Sequence, residues 1–237
     1  MNVYPVNAIE GASLISPQIE TYSRIRDIYN KYIEFTVDFI MPSIELNGNW
    51  AFIVEADSLI IGNANTEFGE VSLILSGETV FKKAFETKNY INIVNLEGIK
   101  AFNEIRLSLS GSANAQVGLL FIGKKWILPR FATLPEKGLT LRNDSGRTFT
   151  GQSTGIPVAA LRSFAATFVR IGNEEVKTIN DYINGVQTII PHVVDSYPEA
   201  HEEFPPMFMT VQEYSAKEKR AENGFFWNFD IAWMEAN

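Results

Sequence analysis

The sequence predicts a mainly β protein: a jelly-roll β-sandwich followed by a smaller α+β or β domain with one helix. Three observations carry this. Between residues 43 and 123, short runs of apolar and β-branched residues alternate with turn signals such as Asn47-Gly48-Asn49, Ser76-Gly77 and Gly111-Ser112-Ala113-Asn114. Within those runs the period is two: Val71, Leu73 and Leu75 on one face, Ile105, Leu107 and Leu109 on another. Only 173–184 (NEEVKTINDYIN) has the spacing and end signals of a well-formed helix, with Val176, Ile179 and Ile183 on one side and Gly185 after it.

Residues 1–18, with Pro5, Gly11 and Pro17, show no period and read as an arm, expected either on a neighbouring subunit or as a loosely packed terminus. Residues 19–33 are ambiguous: Ile25, Ile28, Tyr29 and Tyr32 fit a short helix, after which 32–40 turns strand-like until Pro42. The seven runs that follow, from Trp50–Val54 to Gln116–Ile122, are the expected sandwich strands. Residues 124–137, with Pro129 and Pro135, form the best boundary. Beyond it, 143–155 (NDSGRTFTGQSTG) reads as a turn-rich loop and 158–171 as a long strand. The helix follows, then strands near 187–194, 207–214 and 225–234. In the last of these Phe225, Trp227, Phe229, Ile231 and Trp233 share one face. The expected organisation is an arm at 1–18, a sandwich domain at 19–125, a linker at 126–138 and a small β-rich domain at 139–237.

The chain has 237 residues, 46% of them hydrophobic, which suits a globular protein. A net charge of -8 and a pI near 4.9 disfavour nucleic acid as a partner, since phosphate contact needs a basic face. Absence of cysteine excludes disulfides and thiolate metal sites. The start MNVYPVNAIEG lacks a basic region followed by an apolar core, and no apolar run approaches a membrane span. Neither a secretion signal nor membrane insertion is therefore expected.

The order of parts resembles the structural tail proteins of tailed bacteriophages and prophages. In those, a galactose-binding-like jelly roll is followed by a small β-rich domain with one helix. The likeness rests on LIIGNANTEFGEVSLIL, VGLLFIGKKWILP and the SGRTFTGQSTG stretch, and covers roughly residues 35–237. It implies a virion tail or tail-tip component made in the host cytoplasm, with other tail proteins and further copies of the chain as partners. It brings no catalytic residues and no cofactor.

Candidate contact residues are few. Trp50, Trp126, Phe225, Trp227 and Trp233 are the aromatics suited to stacking on a sugar or anchoring an interface, although aromatics at strand period more often fill cores. Asp195, Glu199, Glu202 and Glu203 with His192 and His201 mix carboxylates and imidazoles, but at no metal-binding spacing, so a solvated acidic loop is the expectation. Asp57 with Asn63 and Asn65 would be the oxygen donors for a calcium ion, again without supporting spacing. No metal site is assigned. Phosphate-cradling glycine loops and a nucleophile elbow are absent, so no enzyme activity is expected. Two functions remain: a non-enzymatic tail component working by protein–protein assembly, or a carbohydrate-binding module of a receptor-binding or polysaccharide-degrading system. The module would take a host surface glycan on the loops at residues 47–50 and 62–65.

Overall fold

The computed structural model describes residues 1–19, 25, 28, 36–111, 113–129, 136–147, 153–186, 190–221 and 224–236. In chain order the strands are β1 (Asn2–Tyr4), β2 (Ser13–Ile15), β3 (Val37–Asp38), β4 (Ser43–Ala64), β5 (Phe68–Leu75), β6 (Glu78–Glu86), β7 (Ile91–Ser110), β8 (Gln116–Gly123) and β9 (Trp126–Ile127). They continue with β10 (Glu136–Arg147), β11 (Ser153–Ile171), β12 (His192–Asp195), β13 (Met207–Ala221) and β14 (Gly224–Glu235). The helix α1 (Asn173–Val186) lies between β11 and β12. The chain forms two compact units. One joins Met1–Ile127 to His192–Met207; the other joins Leu128–Pro191 to Phe208–Ala236. The first unit is thus discontinuous, a feature a linear reading with a boundary at 126–138 does not contain.

The fold is mainly β and antiparallel, a sandwich made by strands that change leaf. β4 and β7 are long enough to serve both leaves. Their starts and ends pair in register from Ser43↔Ser110 to Asn49↔Glu104, and again from Ser58↔Asn95 to Gly62↔Ile91. Between these stretches the register shifts twice, which bends the pair. At the second shift Glu97 and Gly98 take positive φ (58° and 97°), and Asn95 Oδ1 accepts the Glu97 N–H at 2.8 Å. One leaf carries β6-β5-β7-β4 with β2 beside it; the other carries β7-β4-β8-β3. Their inward residues meet in one core, Ile44, Leu46, Val71 and Leu109 from the first with Leu59, Ile61, Val94 and Leu120 from the second.

The run Ser58–Ile61 is buried on both faces, which requires cover on its far side as well. β1 supplies it at the centre of a short antiparallel sheet, β9-β1-β12, where Tyr4 meets Phe121 edge-on at 6.1 Å. The N-terminal segment is therefore not an arm. Val3 and Ile9 are fully buried. Asn7 binds it to β8, donating through Nδ2 to the Leu120 carbonyl (3.0 Å) and accepting the Ile122 N–H (3.0 Å) and Ile9 N–H (3.1 Å). The ambiguous stretch 19–33 falls largely outside the described residues.

In the second unit the strand order is β10-β11-β14-β13. The helix begins where Asn173 stands. Glu175 folds back to accept the Gly172 N–H at 3.1 Å, which satisfies one free donor of the first turn. Its buried residues are Ile179, Tyr182 and Val186. The expected loop at 143–155 is not one. Asn143–Arg147 and Ser153–Gly155 are paired strand, with Arg147 opposite Ser153; residues 148–152 lie outside the described residues. Threonine suits a ladder, and the pairing outweighs the loop-like polar composition here.

Candidate functional site

The aromatics expected to make contacts separate into two groups. Trp50 is 5% exposed, donates its indole N–H to the Ala8 carbonyl at 2.8 Å and packs edge-on against Phe102. It leaves no face for a ligand, and residues 47–50 lie within β4, paired with β2 and β7, rather than in a loop. Trp233 is buried against Phe164 and donates to the Tyr182 hydroxyl at 2.7 Å. Burial pushes the Tyr182 phenol well above its ordinary pKa, with the Trp233 hydrogen bond opposing. Trp126, in β9 opposite Val3, and Trp227, stacked on Phe229 at 6.0 Å, are half-buried. Phe225 is 66% exposed.

Asp57, Asn63 and Asn65 do not converge. Asp57 and Asn63 stand six residues apart on one strand, about 20 Å. Asp57 Oδ1 already accepts from Ser58 Oγ (2.7 Å) and the Lys125 N–H (3.0 Å). The acidic segment separates too. Glu199, Glu202 and Glu203 are exposed, whereas Asp195 and His192 lie buried in β12. Desolvation raises the Asp195 carboxyl above the usual carboxylate range, and His201, 3.1 Å away, opposes that. Among the described residues no group of three His, Asp or Glu is placed to hold a metal.

One end of the sandwich is braced by a dense set of hydrogen bonds. There, strand ends and turns meet from 40–42, 63–67, 87–92, and 110–111 with 113–116. Backbone bonds tie them, Asn63 N–H to the Tyr90 carbonyl (2.7 Å), Glu67 N–H to Ser110 (2.8 Å), Thr87 N–H to Glu67 (2.9 Å) and Gly111 N–H to Pro42 (2.9 Å). Side-chain amides fix the turns. Asn65 donates to the Asn114 carbonyl (2.9 Å) and accepts the Gln116 N–H (2.7 Å); Asn92 donates to the Asn89 carbonyl (2.5 Å) and accepts the Asn89 N–H (2.9 Å). Thr66 and Thr87 form a buried hydroxyl pair at 3.1 Å. On this braced end Tyr90 is 43% exposed beside Lys88 and Asn89, and Phe68 and Met41 are also open to solvent. Of these, sequence reading singled out only Asn63 and Asn65. Tyr90 stands directly before the strand that begins at Ile91.

No protein-family model matches the sequence. No curated relative matches it. Similar solved structures include SpGH29, at 14% identity and TM-score 0.46 over 52% of this chain and 28% of that one. A fucose-binding module from Streptococcus pneumoniae, SpX-3, aligns at 14% identity and TM-score 0.42, covering 49% of this chain and 96% of its own. The family 32 carbohydrate-binding module of Clostridium perfringens NanJ, solved with galactose, aligns at 14% identity and TM-score 0.42, covering 52% and 98%. The chain thus spans little more than a quarter of SpGH29.

Proposed function

We propose that the protein is a non-catalytic recognition module that binds carbohydrate at the braced end of its sandwich. The observation that carries this is Tyr90: a partly exposed aromatic on turns already fixed by amide and hydroxyl hydrogen bonds. Sugar recognition needs an apolar face to stack on, polar groups around it and little ordering cost on binding, and this end provides all three. Tyr90 is the stacking residue, and Lys88 and Asn89 supply donors and acceptors beside it. The test is a printed glycan panel probed with the full chain and with Tyr90→Ala, with galactose- and fucose-terminated glycans included. Signals that Tyr90→Ala abolishes support the reading; silence from the folded protein overturns it.

A second reading, a structural component of a phage tail or tail tip, is favoured by Phe225. It leaves a large apolar side chain open at the start of β14 while Phe229 and Trp233 on the same face are covered. Partner tail proteins and the virion belong to this reading. Phe225→Ser that leaves assembly on a tail partner unchanged overturns it.

A further inference from the structure

β10 ends the second unit's sheet, and among the described residues its outer edge pairs with no strand. It is 12 residues long, and β11 accompanies it throughout. β14 covers β11 only from Ser163 to Ile171. From Leu139 onward the hairpin is therefore, among the described residues, a ribbon of two strands, an arrangement that is marginal in water without a third. An uncovered edge is also a row of N–H and C=O groups ready to pair.

The two edges of this ribbon differ. β11 carries Pro157, which has no N–H to give, and it holds the extra residue where Arg142↔Ala159 passes to Asn143↔Pro157. β10 has no proline and runs without an inserted residue. It differs as well from β6, the last strand of the sandwich. There Lys82 and Lys83 stand mid-strand, tied to Glu70 (2.9 Å) and Glu97 (3.0 Å), a charged centre that repels a new strand.

In β10 four charges lie toward the ends, Glu136 and Lys137 at one and Asp144 and Arg147 at the other, with Arg142 next to the midpoint. A second β10 laid antiparallel, residue 136 opposite 147, sets Glu136 against Arg147 twice by symmetry and leaves no like charges directly opposed. A parallel copy in register would set each charge against itself. We infer that β10 is a dimerisation edge, along which two copies of this chain pair antiparallel about a two-fold axis. The contact is self-complementary, as a closed dimer requires. It does not depend on the carbohydrate reading, but it would place two recognition ends in one particle and raise avidity for a multivalent glycan.

The test is sedimentation velocity of the full chain across a concentration series. The wild type forms a concentration-dependent dimer. Glu136→Arg and Arg147→Glu each weaken it about tenfold, from two symmetric cross-strand pairs, and the double exchange restores it. Amide exchange at low and high concentration needs no variant, and protection within residues 138–142 rises with dimer. A monomer at every concentration overturns the inference. So does a dimer indifferent to the single exchanges, one the double exchange fails to restore, or one that leaves these amides unprotected. Sugar binding, titrated separately, reports on the sandwich and is unaffected by these substitutions.

Discussion

Trp50 and Tyr90 belong to the same unit and are put to opposite uses. Trp50 sits at the bend of β4, fills the core and gives its N–H to a carbonyl inside the unit. Tyr90 sits one residue before β7 begins, on a turn, with its side chain partly in water. The second unit repeats the contrast along β14, where Trp233 is sealed under α1 by Tyr182 and Phe225 is open. Position within a strand, more than residue type, separates an aromatic that holds the fold from one that can meet a ligand. A mid-strand side chain facing the core has a partner layer above it; Tyr90 and Phe225, near strand ends, keep much of their surface in water.

The sharpest way to break this contrast is to truncate both kinds. Trp233→Ala removes a filled volume and leaves the buried Tyr182 hydroxyl without its donor, so we expect a loss of about 3–5 kcal/mol, read as a lower urea midpoint for the second unit. Asn7→Ala strips three hydrogen bonds that join the N-terminal segment to itself and to β8, and should cost about 2 kcal/mol, read as a lower urea midpoint for the first unit.

Glu235 gives a smaller, pH-dependent effect. Burial alone would raise its carboxyl. The Arg162 side chain and N–H (3.1 Å to Oε2) outweigh that and hold it below the usual value. A lowered folded pKa gives stability that is present above the unfolded carboxylate value and lost as pH falls through the folded one. Because Arg162 is half exposed, the contribution is modest. Glu235→Gln should destabilise by about 1 kcal/mol at pH 7, and the gap to wild type should close as pH falls below about 4. Tyr90→Ala should change the melting midpoint least, within about 0.5 kcal/mol, since its side chain is partly exposed. If Tyr90→Ala unfolds the sandwich as Trp233→Ala unfolds the sheet, the contrast fails.

Part of the fold was legible because alternation encodes which face is covered: it holds through Ile105, Leu107 and Leu109 and through Phe229, Ile231 and Trp233, but fails at Leu73/Ile74, where a register shift buries Ile74 and leaves Leu75 half-buried, and at Phe225, which is exposed. The helix was legible from the spacing of Val176, Ile179 and Ile183, although the residues it buries are Ile179, Tyr182 and Val186. What escaped was whatever depends on distant pairing. No local signal in NVY says that β1 lies between β9 and β12, because β12 arrives some 190 residues later. Likewise NDSGRTFTGQSTG has loop composition, and only the ladder from Asn143 to Arg147 makes it a ribbon. The candidate site was legible in part, through Asn63 and Asn65. Tyr90 was hidden inside a strand-like run, and Trp50, conspicuous by type, proved internal.

The proposed sugar recognition at the braced end of the sandwich is best checked by titrating galactose and fucose into the isotope-labelled full chain and following backbone amide shifts. The claim predicts saturable changes confined to the turns holding Asn65, Asn89, Tyr90 and Asn114, and absent in Tyr90→Ala. Amides that do not move at tens of millimolar sugar, or that move only around Phe225, would contradict it.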